Sequence, residues 1–195
     1  MLTSARFAVY ACALASTAPL AATGEQTPAA RSLREEHSVT ALRDRLVALS
    51  PRVRRDEAQR VSLRAHETSR DLAREYRIAG PAQFHNFLVN AGWKKRGLCH
   101  HWTRDLMRRL RTLKLTTMDL HWGGARAGTL REHNAVVITA RGEPFASGVV
   151  LDSWRNSGRL YSGPVATDRY PWKEDRTECF CARRTTRLSL AQTLR

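Results

Sequence analysis

Cys99, His133 and Asp152 occur in the order and the local contexts that thiol chemistry uses. Cys99 follows Gly97-Leu98 and opens a run of helical periodicity, Cys99-His-His-Trp-Thr-Arg-Asp-Leu-Met-Arg-Arg-Leu110. His133 opens a β-like run, His133-Asn-Ala-Val-Val-Ile-Thr139, and Asp152 lies near the end of the next, Val149-Val-Leu-Asp-Ser-Trp154. A cysteine at a helix N-terminus is drawn toward thiolate by the helix dipole, and a neighbouring imidazolium lowers its pKa further. A carboxylate on the far imidazole nitrogen fixes the tautomer and the ring orientation. The chemistry implied is nucleophilic attack by a thiolate on an acyl carbon.

These residues need elements to hold them. Leu98, Trp102, Leu106, Leu110 and Leu113 form the apolar seam of the helix that carries Cys99, with Arg104, Arg108 and Arg111 opposite. Cys99 shares the face of Trp102, Leu106 and Leu110, so it points toward the core rather than into bulk water. From Thr117 the period changes to two: Met118, Leu120 and Trp122 alternate with Thr117, Asp119 and His121, and a Gly-rich loop (Gly123, Gly124, Gly128) precedes His133. The runs 133–140 and 148–154 read as a hairpin around Gly142-Glu143-Pro144. A turn centred on residues 142 and 143 sets His133 directly opposite Asp152, and a longer loop moves Asp152 along the same ladder.

Upstream, Val39, Leu42, Leu46 and Leu49 recur at helical spacing, which predicts a short amphipathic helix after a flexible leader over 23–37. Ser50 as N-cap and Pro51 at the first helical position then start a longer helix. Its buried stripe is Ala58, Val61, Ala65, Thr68, Leu72 and Tyr76, and Gly80-Pro81 ends it. Residues 83–89 add a short helix, and 157–172 read as turns and short strands closing the sheet. The fold class expected is α+β, a helical N-terminal half packed on a small antiparallel sheet.

Residues 1–22 have the pattern of a secretory signal peptide: Arg6, an apolar stretch over 7–18 and Leu20-Ala21-Ala22 at a cleavage site. That stretch is too short to span a bilayer and Pro19 interrupts it, so no transmembrane span is expected in the mature form. The organisation expected is a signal peptide over 1–22, a leader and short helix over 23–50, one enzyme domain over 51–175 and a basic tail over 176–195. The product is expected to be secreted or periplasmic, with membrane association through an uncleaved or lipidated N-terminus as the alternative. Three of the four cysteines (Cys99, Cys179 and Cys181) lie beyond that signal, so at least one thiol is left free or paired between chains. Whether Cys179 and Cys181 pair is open at this point. The net charge of +15 comes almost wholly from arginine, since lysine occurs only at 94, 95, 114 and 173. Such charge suits an anionic surface or polymer as a partner, but the arginines are scattered and no specific nucleic-acid signature occurs.

The set Gly97-Leu-Cys99, Glu132-His133-Asn134 and Leu151-Asp152-Ser-Trp154 resembles the transglutaminase-like branch of the papain-type cysteine enzymes. Residues 84–172 also resemble small bacterial exported or membrane-associated members of that group. The resemblance implies a papain/transglutaminase-like core, with Cys99 as nucleophile, His133 as general base and acid, and Asp152 as orienter. It implies an oxyanion hole made from the nucleophile's own N–H and an upstream donor, for which Gln83, Asn86, Asn90 and Trp93 are candidates. Trp102, Trp122 and Trp154 would shape the cleft or fill the core, and core is the simpler expectation for each. The substrate implied is a peptide or other amide-containing envelope compound, with water or an amine as acceptor and no cofactor.

Two other readings compete. Cys99, His100, His101, His121, His133 and Asp152 are metal ligands in type, with Cys179 and Cys181 downstream, yet no paired ligand spacing occurs, so no metal is expected. A catalytically silent envelope binding domain of the same fold would carry the same residues. It would keep its function when Cys99 becomes serine, and an enzyme would not.

Overall fold

The central strand of this α+β protein is buried along its whole length. That strand, β2 (His133–Ala140), lies in a five-stranded antiparallel sheet of order β4-β3-β2-β1-β5. The others are β1 (Met118–Ala125), β3 (Val149–Asp152), β4 (Tyr161–Pro164) and β5 (Lys173–Glu174). Four helices precede the sheet: α1 (Pro28–Val47), α2 (Arg55–Glu75), α3 (Ala82–Asn90) and α4 (Cys99–Arg111). The structure is a computed structural model and describes residues 27–177. The expected signal peptide, most of the basic tail, Cys179 and Cys181 lie outside the described residues.

Each face of β2 has its own cover, which is why its sequence is apolar at every step rather than alternating. Val136, Ile138 and Ala140 meet Leu42, Leu46, Ala58, Val61, Leu106 and Leu110 of the helices in the main core. Ala135 and Val137 meet Val150, Val165, Trp172 and Phe145 on the opposite face. The stripe expected on α2 is buried at every position, and α4 buries Trp102, Leu106 and Leu110 as its seam requires.

Three boundaries differ from expectation. First, α1 begins at Pro28, within the expected leader: Thr27 Oγ1 accepts from Ala30 N at 3.3 Å and proline fills the first turn. Second, α2 starts at Arg55 rather than Pro51. Residues 50–53 form a turn that buries Val53, and the helix start is set by a contact with the entry to β1. There Glu57, 1% exposed, accepts from Thr116 N (2.7 Å), Thr116 Oγ1 (2.6 Å), Thr117 N (2.9 Å) and Thr117 Oγ1 (2.6 Å), while Thr117 Oγ1 accepts from Arg54 N at 3.2 Å. Third, Gly123 and Gly124 lie inside β1 rather than in a loop, paired with Ala135 and Asn134.

Burial pushes the Glu57 carboxyl up, but the hydrogen bonds from Thr116 and Thr117 outweigh it and hold the group at about 2. Its contribution to stability is therefore present above the ordinary value of 4.5 and fades as pH falls toward 2. Glu57→Ala leaves four donors without an acceptor and is expected to cost about 3 kcal/mol in urea unfolding at pH 7. The difference from wild type should shrink below pH 4.5.

The β2–β3 connection is longer than a tight turn, because the 3-10 turn Phe145–Ser147 sits within it. Val136 pairs with Leu151, a two-residue shift from the ladder expected for a turn centred on 142 and 143. A shift of two preserves parity, so Asp152 stays on the face of His133, one diagonal away. Gly148 permits this path: a Cβ there would lie 2.7 Å from Val137 Cγ1 and 2.9 Å from Ile138 O.

Candidate active site

The turn that delivers Cys99 is held from several sides. Gly97 has φ +128°, and a Cβ there would sit 2.4 Å from the His85 ring. His85, fully buried, accepts from Ala79 N at Nδ1 (3.2 Å) and donates from Nε2 to Arg96 O (2.9 Å). Trp102 Nε1 donates to Gly97 O at 2.8 Å. His101 Nδ1 accepts from Gly97 N (3.2 Å) and Leu98 N (3.3 Å), reaching back over the start of α4. Burial first, then the charges of His100, Arg96 and Arg104, push His101 down to about 4, so its Nδ1 remains an acceptor at neutral pH.

Cys99 is a half-buried free thiol at the first position of α4. It meets the end of β2, where consecutive side chains leave opposite faces of the sheet. Its Sγ lies 3.9 Å from Glu132 O and 3.7 Å from Asn134 Nδ2. The Asn134 amide is oriented by Trp122, whose Nε1 donates to Asn134 Oδ1 at 2.8 Å. His133, 2% exposed, donates from Nε2 to Asp152 Oδ2 at 2.7 Å. Its Nδ1 is buried without a hydrogen-bond partner, and the imidazole and the Cys99 thiol are close enough for each to shift the other's pKa. Trp154 and Tyr170 lie with ring centroids 4.6 Å from the imidazole, and Trp172 lies 5.3 Å away.

Asp152 is 1% exposed and uses both oxygens twice. Oδ1 accepts from Trp154 N (3.1 Å) and Arg155 N (3.0 Å), and Oδ2 accepts from His133 and from Arg155 Nε (2.9 Å). Arg155 in turn donates from Nη2 to both oxygens of Asp168 at 3.1 and 3.0 Å and covers the Tyr161 ring at 3.7 Å. The imidazole thus ends a chain of buried charges, Asp168–Arg155–Asp152–His133.

This environment sets the protonation states. Burial pushes the Cys99 thiol up, but hydrogen bonding and charge from His133, with the Asn134 amide, outweigh it and draw the thiol below its ordinary value. Burial pushes His133 down, while Asp152 and then Cys99 lift it to about 9. Burial raises Asp152 and its partners His133 and Arg155 more than offset this, so it stays ionised. Both shifts run in the sense that favours a thiolate–imidazolium pair over the neutral pair.

The other expected residues are placed unequally. Gln83 and Asn86 line a cleft of about 310 Å³ beside His133 and Trp154, and Asn86 Oδ1 accepts from Trp154 Nε1 at 2.9 Å. Asn90 and Trp93 do not line that cleft; Trp93 is 74% exposed and packs edge-on to Phe87. Trp102 is core, in edge contact with Tyr76, and Trp154 belongs to the cleft. His100 lies against the His101 ring with centroids 4.1 Å apart, and His121 pairs with Glu174 at 2.7 Å. Among the described residues no group of three or more His, Cys, Asp or Glu is disposed to hold a metal ion. No helix among them is long and apolar enough to cross a membrane.

Sequence reasoning passed over Asn134, Arg155, Asp168, Tyr170 and Trp172. Asn134 and Arg155 carried a signal in their positions, next to His133 and three residues after Asp152. Asp168, Tyr170 and Trp172 reach the site through a loop whose path no periodicity encodes. Comparison of the chain with protein-family models, with curated proteins and with solved structures finds no significant match.

Proposed function

We propose that this chain is an exported thiol acyltransferase or hydrolase of the transglutaminase-like type, with Cys99, His133 and Asp152 as its catalytic residues and a papain-like core. The observation that carries the reading is the buried imidazole, bonded through Nε2 to Asp152 and with its Nδ1 otherwise unpartnered, close enough to Cys99 for each group to shift the other's pKa. A buried N–H without an acceptor is costly, and the Cys99 thiolate is the acceptor that removes the cost.

In the reaction, Cys99 thiolate attacks the carbonyl carbon of an amide donor. The negative charge that develops on oxygen is met by the Cys99 backbone N–H, one of the first-turn donors without an intrahelical partner, with Gln83 or Asn86 as the second donor. His133 gives its proton to the departing amine and the thioester forms. His133, now neutral, takes a proton from water or an acceptor amine, which displaces Cys99 and releases the acyl group.

The test uses protein in which Cys12, Cys179 and Cys181 are serine, with p-nitrophenyl acetate as acyl donor. A hydroxylamine-labile acetyl group should form on Cys99 and be absent from Cys99→Ser. Absence of the adduct, or its formation at a rate indifferent to His133→Ala, overturns the reading and leaves a binding domain.

The pair also makes a pH prediction. His133 should titrate by NMR near pH 9, and its pKa should fall when Cys99→Ser removes the thiolate. Because the folded value lies above the ordinary 6.5, the stability it contributes is complete below that value and is lost as pH rises through about 9.

A further inference from the structure

The cleft next to His133 is walled by aromatic rings and rimmed by cations. Trp154 and Tyr170 form its apolar side, and Arg126 and Arg131 stand on the exposed loop between β1 and β2. Arg126 lies over the Tyr170 ring at 5.8 Å. Neither guanidinium has an ion-pair partner among the described residues, whereas Arg155 is paired with both Asp152 and Asp168. Glu132 is the one carboxylate lining the cleft, and it is turned to its own loop. Its Oε2 accepts from Gly128 N at 2.8 Å and its Oε1 from Asn134 Nδ2 at 3.3 Å. Asp168 is likewise spent on Arg155. Among the described residues the cleft lining therefore carries two guanidiniums against one carboxylate, an excess of positive charge directly beside the imidazole.

We infer that this cleft is a subsite for an acidic acyl donor, a peptide that presents a carboxylate within a residue or so of the amide Cys99 attacks. The proposal rests on the reading of Cys99 as the nucleophile. A carboxylate meets Arg126 and Arg131 as a charge-assisted, bidentate-capable acceptor. The peptide's apolar atoms lie against Trp154 and Tyr170. Gln83 and Asn86 line the same space, and the bond from Trp154 takes only the oxygen of the Asn86 amide. A neutral donor of the same shape gains the aromatic contacts and forgoes the ionic ones.

Thiol–disulfide exchange reports on this subsite without a known substrate. Cys99 thiolate attacks one sulfur of an aromatic disulfide, a mixed disulfide forms, and the aryl thiolate leaves. The dianionic reagent is 5,5′-dithiobis(2-nitrobenzoate) and the neutral one is 4,4′-dithiodipyridine, each referred to its rate with glutathione. The protein is again the form in which Cys99 is the sole cysteine. The ratio of anionic to neutral rates should fall about tenfold in Arg126→Gln/Arg131→Gln at low ionic strength. In about 1 M salt the parent ratio should collapse toward that of the variant, because the Debye length there is only about 3 Å. Arg34→Gln/Arg64→Gln, on α1 and α2 and lining no part of this cleft, should leave the ratio in place. An unchanged ratio in the loop variant, or an equal fall in the control pair, overturns the acidic subsite. Failure of the nucleophile reading looks different: both reagents react slowly, and His133→Ala changes neither.

Discussion

His133→Ala should slow iodoacetamide alkylation of Cys99 at pH 7 by at least about tenfold and raise the apparent pKa of that reaction. Two opposed effects act on the thiol. Burial raises its pKa, and only the imidazole, with help from Asn134, brings it below the ordinary thiol value. Removing the ring leaves the burial in place and takes away the largest compensating charge, so the thiol should titrate later than a free cysteine rather than merely normally. The variant also loses the proton donor for the leaving amine, which should lower turnover of any amide substrate by about 10²–10⁴. An alkylation profile that keeps its midpoint in His133→Ala would mean that the helix N-terminus alone activates Cys99. The contribution of the Asn134 amide can be read separately in Asn134→Ala, which removes a weak donor 3.7 Å from Sγ but leaves the imidazole and the helix N-terminus. Its midpoint should rise by less than that of His133→Ala.

The parts of this site that were legible in the sequence are those governed by a short-range rule. Cys99 at a helix start follows from the seam that Trp102, Leu106 and Leu110 write at helical spacing. The His133–Asp152 contact follows from parity: a period of two survives a longer turn so long as the shift is even, and here it is two residues. What sequence reasoning got wrong depends on partners distant in the chain. The start of α2 is set by Glu57 reaching Thr116 and Thr117, and nothing local distinguishes Arg55 from Pro51 as a first residue. Gly123 fits inside β1 because Val137 and Phe145 crowd that spot; a Cβ would lie 3.1 Å from Val137 Cγ2. A glycine that relieves such crowding and a glycine that makes a loop look the same in one dimension. The aromatic lid over His133 is the least legible part, since Tyr170 and Trp172 arrive through a segment with no regular period.

Asp152 should be the most sensitive single position in the protein, because it serves folding and chemistry through the same two oxygens. Asp152→Ala strands four donors: His133 Nε2, Trp154 N, Arg155 N and Arg155 Nε. It also leaves the Arg155 guanidinium, whose side chain is 8% exposed, with Asp168 as its only counter-charge among the described residues. Removing one member of a buried ion pair costs about 3–5 kcal/mol, and a shift of that size should be plain in urea unfolding at pH 7. Asp152 is held below the ordinary carboxylate range, so its contribution exists above that range and disappears as pH falls through its folded pKa. The gap between wild type and variant should therefore narrow in acid.

Asp152→Asn separates the two roles. An amide has one acceptor oxygen. If that oxygen keeps the Trp154 and Arg155 N–H groups, its NH2 must face Nε2 of His133 and the Arg155 guanidinium. The imidazole is then forced to accept at Nε2 and to carry its proton on Nδ1, and a neutral ring no longer holds the thiolate. Part of the fold is retained, but acyl transfer should fall by up to about 10⁴ and the alkylation midpoint of Cys99 should rise nearly as far as in His133→Ala. A folded Asp152→Asn protein whose Cys99 keeps its low midpoint would show that His133 is charged without its carboxylate partner. The buried chain from Asp168 to His133 would then be a structural device only, and the orienting role given to Asp152 would be withdrawn.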